Sequence, residues 1–341
     1  MNEFEIGPIR PPSESSSLLI RVTRGCHWNK CYFCGLYKSM KFSMRPIEDI
    51  ISDIKAQSEQ HSGQQYKSCF LQDGDALVLK TDYLLKILDA LHQYFPSLES
   101  ITTYARADSI TRKSLSELKL LREHGLNHLY CGMETGADCV LRLINKGFNA
   151  DTVIRSGCLV KEADMTLSEF ILLGIGGKEY SEENARKTAD VLNIIQPDFI
   201  RVHATGFKPG SIMWQLIQNR TITLQSEEEI VQEQRLFLQC LNEMNSYYVN
   251  EHIINLLLEV RGNLLTAKRQ MLSDIDRFLR LPSEERLLFA VGRRLNVFFF
   301  LDDLQKPELH RQAEAYMDKI KKENPNADFA LLCNYVRQSQ I

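Results

Sequence analysis

The stretch RGCHWNKCYFCG, at residues 24–35, carries three cysteines within nine positions. Cys26, Cys31 and Cys34 have the spacing C-x4-C-x2-C and follow a short apolar run at 18–23. Three thiolates on one tight loop can face a single point, which suits a metal ion or an iron–sulfur cluster better than a packed core. The count of three leaves one coordination position without a protein ligand nearby.

Structural zinc is the alternative ligand for the same cysteines. A zinc site usually closes with a fourth Cys or His, and His27 is the nearest candidate. The x4 then x2 spacing is unusual for zinc, so a cluster is the favoured interpretation. Six further cysteines are scattered along the chain: Cys69, Cys131, Cys139, Cys158, Cys240 and Cys333. Their mostly apolar neighbours predict that they are small buried hydrophobic residues.

The whole chain has the composition of an ordinary globular protein, with 341 residues of which 44% are hydrophobic and 25% are charged. The formal net charge of −3 gives no sign of a nucleic-acid-binding surface, so no nucleic-acid partner is expected. No apolar run of about 18 residues is present, so no membrane-spanning helix is expected. The N-terminal residues lack the apolar core of a signal peptide. We therefore expect a cytoplasmic protein whose thiols stay reduced.

Short apolar runs alternate with helical patterns along the first two thirds of the chain. The runs predict six strands, at residues 18–23, 67–72, 98–105, 126–133, 166–173 and 198–203. Strands that are apolar almost throughout belong in a parallel sheet covered by helices. Right-handed crossovers then curl such a sheet into a barrel. The predicted fold class is therefore α/β, a partial (β/α)6 barrel of the TIM type with a C-terminal helical region.

The pattern divides the chain into three predicted sections. Residues 1–17 are polar and proline-containing, which predicts an exposed N-terminal arm. Residues 18–210 form the predicted barrel core. Residues 211–341 read as mostly helical, although 295–301 is apolar enough to be a strand. We expect this last section to close over the barrel and to determine the choice of substrate.

Polar residues and glycines interrupt the pattern at or just after the predicted strand ends. They are Asp73, Gly74 and Asp75, then Arg106, Glu134, the glycine cluster at 174–177, and Arg201 with His203. The carboxyl ends of barrel strands form the catalytic face, so these residues are expected to converge there with the cysteines. Such a mouth has the groups needed to hold a small charged ligand on the open iron.

Plainer roles stay open for the same residues. Asp73 and Asp75 could be turn residues around Gly74. Arg106 could form a structural ion pair with Asp108. A carboxylate that leaves an apolar strand needs a partner, which favours a functional role for Glu134. Arg201 and His203 lie two apart on one strand and could share a face, where each is a candidate for substrate contact or a structural residue.

These motifs resemble those of the radical S-adenosylmethionine (SAM) superfamily. The chain is most similar to the branch that includes the anaerobic coproporphyrinogen oxidases, the methylthiotransferases and the Elongator catalytic subunit, over roughly residues 18–210. The usual spacing in that superfamily is C-x3-C-x2-C, and the first gap is one residue longer in this sequence. The stretches GMETG at 132–136 and LLGIGGKE at 172–179 resemble its fourth- and fifth-strand segments.

The resemblance assigns roles to particular residues. It implies that Cys26, Cys31 and Cys34 hold three irons of a [4Fe–4S] cluster whose fourth iron is chelated by SAM. It places Phe33 against the adenine of SAM. The remaining residues on the SAM side would be Asp73, Gly74 and Asp75 at the amino group, Arg106 as the nearby guanidinium, Glu134 near the ribose or methionyl part, and Leu172 with Gly174 behind the adenine. Arg201 and His203 are the candidate catalytic residues.

The same resemblance implies the reaction. One electron from the reduced cluster would cleave SAM to a 5′-deoxyadenosyl radical, which abstracts hydrogen from a small-molecule or peptide substrate. A low-potential donor of the flavodoxin or ferredoxin type would supply the electron. The alternative hypothesis is a non-catalytic or sensory metal-binding protein that uses the same three cysteines.

Overall fold

Helices and strands alternate through most of the chain in the computed structural model, which describes residues 4–61 and 65–339. The strands are β1 (Leu18–Arg21), β2 (Thr23–Arg24), β3 (Ser43–Met44), β4 (Ser68–Gln72), β5 (Ser100–Ala105), β6 (Leu126–Glu134), β7 (Thr166–Leu173), β8 (Phe199–Ala204), β9 (Tyr247–Val249) and β10 (Gly262–Asn263).

The α-helices are α1 (Ile47–Gln60), α2 (Thr81–Tyr94), α3 (Ala107–Ile110), α4 (Leu115–Glu123), α5 (Asp138–Leu143), α6 (Ala150–Glu162), α7 (Ser181–Ile195), α8 (Ile212–Gln218), α9 (Glu227–Cys240), α10 (Leu264–Leu279), α11 (Ser283–Arg294), α12 (Pro307–Glu323) and α13 (Phe329–Ser339). Short 3-10 helices lie at Pro12–Glu14, Ala76–Val78 and Leu301–Gln305.

The chain forms two compact units. The first comprises residues up to Met133 together with Gly147–Glu169, and the second comprises Glu134–Lys146 and the residues from Phe170 onward. These units do not coincide with the three sections expected from the sequence, which stay predictions. In the part of the chain that the structure describes, no helix is both long enough and apolar enough to cross a membrane.

The first unit is built on parallel strands in the order β1-β4-β5-β6-β7. Parallel pairing joins β1 to β4, β4 to β5, and β5 to β6. Strand residues such as Phe70, Leu71 and Ile101 are fully buried, as expected for a parallel sheet covered by helices. Helix α2 presents a matching stripe through Leu84, Leu88 and other buried residues spaced three or four apart.

The second unit continues from β7, through which the chain passes from one unit to the other, in the order β7-β8-β9-β10. Strand β9 runs parallel to β8 and antiparallel to β10. Strands β9 and β10 were not predicted, because three and two residues are too few to show a strand period. Helix α9 begins with a capping box between Ser226 and Glu229.

The apolar run at 295–301, which the sequence left open as a strand, is not one. Residues 295–301 form no strand but lead from α11 to the 3-10 helix at Leu301–Gln305. Their apolar side chains have a different use, since the ring of Phe298 stacks on Phe289 of α11 with centroids 5.8 Å apart. Packing against helices accounts for the buried Val297, Phe298 and Leu301, whereas Leu295, Phe299 and Phe300 are exposed.

The prediction of an exposed N-terminal arm is also wrong for several residues in 4–17. Glu14 is 5% exposed and accepts a hydrogen bond of 2.6 Å from the Tyr130 hydroxyl. Glu5 accepts two hydrogen bonds of 2.7 Å from the guanidinium of Arg24. These carboxylates find partners on the strands of the first unit, so polar composition did not mean exposure here.

Candidate active site

The cysteine loop, residues 25–35, follows β2 and contains no helix or strand. Cys31 is buried at 7% exposure, Cys26 and Cys34 are partly exposed, and none of the three forms a disulfide. In residues 4–61 and 65–339, no group of three or more His, Cys, Asp or Glu side chains could hold a single metal ion. Because the loop lacks backbone ladders of its own, its shape depends on what the neighbouring elements supply.

The end of β4 holds the start of this loop. Asp73 is fully buried, and its Oδ2 accepts from the Gly25 N–H at 2.9 Å and from Nε and Nη2 of Arg21 at 3.0 and 2.6 Å. At Gly74 an added Cβ would lie 3.2 Å from the Cβ of Cys26. Asp73 thus fixes the backbone before Cys26, and the absent side chain of Gly74 lets the two segments approach closely.

A charged histidine makes the second attachment. Nδ1 of His27 lies 3.0 Å from Asp75 Oδ2, and Nε2 lies 3.3 Å from Asp108 Oδ2. The hydrogen bond to Asp108, and then that to Asp75, raise the pKa of His27 to about 9. Burial alone would raise the pKa of Asp108, but His27 and Arg106 lower it to about 2. Both ring nitrogens of the candidate zinc ligand thus face carboxylates.

Asp75 is itself 1% exposed and anchored on the segment after β5. Its Oδ2 accepts a hydrogen bond of 2.6 Å from the Ser109 hydroxyl, and its Oδ1 accepts the backbone N–H of Arg106 at 3.4 Å. The carboxylates of Asp73 and Asp75 therefore do more than shape a turn, because each connects a strand end to the cysteine loop.

Arg106 makes the third attachment. Its Nε donates to Asp108 Oδ1 at 2.9 Å, which is the ion pair that the sequence left open. The guanidinium carbon also lies 5.5 Å from the ring centre of Trp28 and 5.0 Å from that of Phe148, within cation–π range of both. Gly147 has φ +89°, and a Cβ there would be 2.4 Å from the Trp28 ring. Trp28 is thus enclosed by a cation and a close backbone.

In the second unit, Glu134 ends β6 in the left-handed region at φ +64°, which a residue with a side chain seldom adopts. The side chain is 9% exposed, and Oε1 accepts from Nζ of Lys146 at 2.7 Å. A strained backbone and a buried ion pair at a strand end are typical of functional positions. Lys146 gave no signal in the sequence, where it reads as an ordinary surface lysine.

The glycine segment after β7 is attached to helix α9 through Glu233. This carboxylate is 2% exposed, and its Oε1 accepts from the Gly174 N–H at 3.0 Å and from Asn184 at 2.7 Å. Its Oε2 accepts from Ser181 at 2.8 Å and from Gln225 at 2.9 Å. Burial raises the pKa of Glu233 in spite of these four donors. Asn184 also donates to the carbonyl of Leu172 at 3.1 Å.

Arg201 and His203 share one face of β8, since they alternate with the buried Ile200, Val202 and Ala204. The ring of His203 lies 4.6 Å from that of His252, centroid to centroid. Burial, with His252 and Arg201 as cationic neighbours, lowers the pKa of His203 to about 3. Burial also lowers the pKa of His252. Sequence reasoning missed His252, which lies in a loop without a motif.

The first unit therefore brings Asp73, Gly74, Asp75 and Arg106 against residues 25–28 at the start of the cysteine loop, and Cys31, Phe33 and Cys34 lie further along the same loop. The second unit contains Glu134, Leu172, Gly174, Arg201 and His203. Arg21 was also missed, although a charge within an apolar strand is a usable signal. Glu233 gave none, because acidic residues are ordinary in an amphipathic helix.

Residues 20–192, half of the chain, match the family described as the Radical SAM superfamily. The chain belongs to the radical SAM superfamily. This assignment confirms the resemblance seen in the cysteine, glycine and strand-end motifs, and it places the chain in a superfamily of enzymes that implies a [4Fe–4S] cluster and SAM.

Individual relatives of this radical SAM protein are distant. The heme chaperone HemW of Bacillus subtilis is 20% identical over 231 residues, 66% of this chain and 59% of its own. A tRNA-2-methylthio-N(6)-dimethylallyladenosine synthase of Syntrophus aciditrophicus is 23% identical over 197 residues, 55% of this chain and 41% of its own. The chain thus spans only about two fifths to three fifths of the length of these relatives.

The solved structure of coproporphyrinogen III oxidase (HemN) from Escherichia coli, a radical SAM enzyme, is similar in fold. The TM-score is 0.51 at 20% identity, over 65% of this chain and 52% of the other. Together with the parallel strands and flanking helices described above, this similarity confirms the predicted fold class, a partial barrel of the TIM type.

The residues of the first unit fit the cluster that the superfamily implies. The donor set is three cysteines on one loop, none of them in a disulfide, as iron–sulfur clusters require. The loop is held at Gly25, His27 and Trp28, so these attachments are made by residues other than the three cysteines. The backbone at Gly74 lies close to Cys26, and a side chain at position 74 would obstruct this contact.

Proposed function

We propose that this chain is a [4Fe–4S]-dependent radical SAM enzyme that acts on a small-molecule or peptide substrate. The observation that carries the proposal is the cysteine loop, whose three cysteines form no disulfide and whose backbone is held near Cys26 by buried charges. Cys26, Cys31 and Cys34 would hold the cluster. When bound, cluster and SAM supply a 5′-deoxyadenosyl radical that takes a hydrogen atom from the substrate.

The chain's own contribution in the first unit is positioning. The imidazolium of His27 and the guanidiniums of Arg21 and Arg106 neutralise the carboxylates that hold the loop. The backbone around Cys26 is thereby held in place, which is how a protein positions a cofactor that does the difficult chemistry. Cys31 is also shielded from water by its burial.

SAM recognition is proposed for the residues that the superfamily resemblance selects. Phe33 would lie beside the adenine, with Leu172 and Gly174 behind it. Asp73, Gly74 and Asp75 would face the amino group, with Oδ2 of Asp73 and both oxygens of Asp75 already bound to protein groups. Arg106 and the Glu134–Lys146 pair would complete the polar contacts.

Arg201, His203 and His252 are proposed to contact the substrate. The lowered pKa values of the two histidines leave both imidazoles neutral near pH 7, so each can donate one hydrogen bond and accept another. Arg201 supplies a fixed positive charge on the same strand face as His203. A low-potential protein of the flavodoxin or ferredoxin type is the proposed electron donor.

The test is anaerobic reconstitution with iron and sulfide, followed by addition of SAM and dithionite. We expect iron–sulfur absorbance and formation of 5′-deoxyadenosine. Cys31→Ala should abolish both signals, because one iron loses its protein ligand. Cys158→Ala is the matched control, since Cys158 is an exposed free thiol outside the loop, and it should retain both.

Two results would refute the proposal. The first is wild-type protein that takes up zinc but no iron–sulfur cluster, which would favour the non-catalytic metal-binding hypothesis. The second is SAM cleavage that persists undiminished in Cys31→Ala, which would show that the assigned thiols are not the ligands.

A further inference from the structure

Two guanidiniums share one carboxylate in the interior of the second unit. Glu227, at the start of α9, is 5% exposed and accepts from Arg294 of α11 through Nε and Nη2, each at 2.7 Å. Its Oε1 also accepts from Nη1 of Arg337 in α13 at 2.6 Å. Arg294 and Arg337 are 3% and 1% exposed. We refer to Glu227, Arg294 and Arg337 as the arginine–glutamate cluster.

The hydrogen bonds of this cluster are incomplete. Nε and Nη2 of Arg337 form the edge of the guanidinium that usually grips a carboxylate or phosphate with two parallel bonds. Both atoms are buried and have no partner in the structure, and neither has Nη1 of Arg294. In Arg294 the same edge, Nε and Nη2, donates both of its bonds to Glu227. In Arg337 this edge has no partner, and we call it the open fork.

The charge of the cluster is unbalanced as well. Burial alone would raise the pKa of Glu227, but Arg294 and Arg337 lower it, so the group counts as one negative charge against two positive charges. Arg293 is a further fully buried guanidinium beside Arg294, with Nε and Nη1 unpartnered. Water can satisfy an N–H group but cannot neutralise a buried charge, whose cost is several kcal/mol per ion in general. A bound anion would both accept hydrogen bonds from the unpartnered N–H groups and neutralise the surplus positive charge.

The backbone of α13 at Arg337 lies next to the segment that follows β8. Asn334, one turn before Arg337 in α13, accepts from the Phe207 N–H at 2.8 Å and donates to the Phe207 carbonyl at 3.0 Å. A Cβ added to Gly206 would be 3.1 Å from the carbonyl carbon of Arg337. This segment starts at the carboxyl end of β8, the strand that carries Arg201 and His203.

We propose that the open fork of Arg337, with Arg294 beside it, binds the carboxylate or phosphate group of an anionic substrate. That the anion belongs to the substrate rests on the proposed radical SAM function, whereas binding of an oxyanion at the cluster does not. The fork fixes the orientation of a planar or tetrahedral oxyanion, and the surplus charge selects against neutral analogues.

The test measures binding to the protein before any cluster is reconstituted. Inorganic phosphate and succinate are titrated calorimetrically, at an ionic strength matched with sodium chloride, and the thermal midpoint is followed in the same solutions. We expect saturable binding of one anion per chain and a higher midpoint than in chloride alone. Tighter binding of phosphate would indicate a phosphorylated substrate, and tighter binding of succinate would indicate a carboxylate.

Arg337→Lys tests the fork specifically, because lysine keeps the charge opposite Glu227 but presents no two-pronged edge. We expect anion affinity to fall at least about tenfold with little change in the midpoint without anion. Arg235→Gln is the matched control, as Arg235 lies on the surface of α9 in an exposed pair with Asp276. It should bind phosphate and succinate like the wild type.

The proposal is overturned if the wild type shows no saturable binding of either anion, or if Arg337→Lys binds as tightly as the wild type. An equal loss in Arg235→Gln would also overturn it, because binding would then follow total charge. Failure of SAM cleavage with intact anion binding would refute the enzymatic proposal and leave the oxyanion site standing. Normal cleavage without anion binding would refute the oxyanion site alone.

Discussion

Two buried carboxylates do the same job by different means. Asp73 in the first unit and Glu233 in the second are 0% and 2% exposed, and each accepts the backbone N–H of a glycine in a loop after a strand. Asp73 is balanced by the guanidinium of Arg21. Glu233 is surrounded by neutral donors only, from Asn184, Ser181 and Gln225, as well as the Gly174 amide.

The difference shows how much each loop depends on charge. A salt-bridged carboxylate cannot be neutralised without leaving its cation buried and unpaired, which is costly. When only neutral donors surround a buried carboxylate, burial raises its pKa, as it does for Glu233. Replacing such a carboxylate by a neutral amide leaves no unpaired cation behind, so the loss of stability is smaller. The attachment of the cysteine loop through Asp73 therefore depends on charge, whereas the attachment of the glycine segment at Gly174 through Glu233 does not.

The largest effect is expected from Asp73→Asn. The substitution keeps the shape of the side chain but removes the charge that balances Arg21, with Glu5 as the remaining partial counter-charge. We expect the free energy of unfolding to fall by about 4 kcal/mol, within the range found when one partner of a buried pair is lost. Urea unfolding followed by circular dichroism measures it. A loss below about 1 kcal/mol would mean that the anchor does not depend on charge.

Gly147→Ala should be nearly as damaging, because it adds two penalties at the cysteine loop. A left-handed φ costs about 1–2 kcal/mol for a residue with Cβ, and the new methyl group would also overlap the Trp28 ring. We expect a total loss of about 3 kcal/mol in the same unfolding experiment.

Gly210→Ala is the control for that substitution. Its φ is +83°, but nothing lies within 4 Å of the added Cβ, so only the conformational cost of about 1 kcal/mol should appear. Equal losses in the two variants would show that Trp28 moves aside freely, and would contradict the close packing of the loop.

His203, a buried group of the second unit, should make the free energy of unfolding depend on pH. Its pKa is about 3 in the folded protein against an ordinary value of 6.5, so the unfolded chain binds the proton first. Stability should therefore be complete above pH 6.5 and fall as the pH drops from 6.5 towards 3, with about 2 kcal/mol lost through this group at pH 5. His203→Gln should remove that part of the slope between pH 5 and 7 in urea unfolding. An unchanged slope would assign the acid sensitivity elsewhere.

The smallest effect is expected from Glu233→Gln, about 1 kcal/mol or less. The new amide can keep its acceptor oxygen towards Gly174 and Asn184. Gln225 has a buried, unpartnered Oε1 that can turn to accept from the new amide N–H, since the orientation of such amides follows the hydrogen-bond network.

Glu233→Ala is the reference for this substitution, with an expected loss of about 3 kcal/mol because four donors lose their acceptor. A loss from Glu233→Gln as large as that from Asp73→Asn would abolish the distinction between the two anchors.

The sequence was informative where local pattern determines structure. The six predicted strands match β1 and β4 to β8 within about two residues at each end, because each run is apolar almost throughout and bounded by polar or glycine residues. The cysteines, the strand-end carboxylates and the glycines were found because they interrupt those runs. The ion pair of Arg106 and Asp108 was one of two options that the sequence left open.

What could not be predicted depends on contacts between distant segments. Glu233, Glu227 and Lys146 look like ordinary helix or loop charges in the sequence, and only folding buries them. The role of His27 also needed the structure, because its partners Asp75 and Asp108 are far away along the chain. Two of the four residues between Cys26 and Cys31 therefore attach the loop to its surroundings. His27 does so as a cation and Trp28 as an aromatic ring.

The path of the chain between the two compact units limits how the protein can be divided. The chain changes unit between Met133 and Glu134, between Lys146 and Gly147, and between Glu169 and Phe170 within β7. No single cut therefore releases a continuous fragment that contains one whole unit and nothing of the other. An expression fragment ending near residue 170 would contain 134–146 without the rest of its unit, so truncation should yield insoluble or protease-sensitive material rather than an autonomous domain. On the ribosome, the first unit is complete only once Glu169 has been added, and residues 134–146 of the second unit are made before that point.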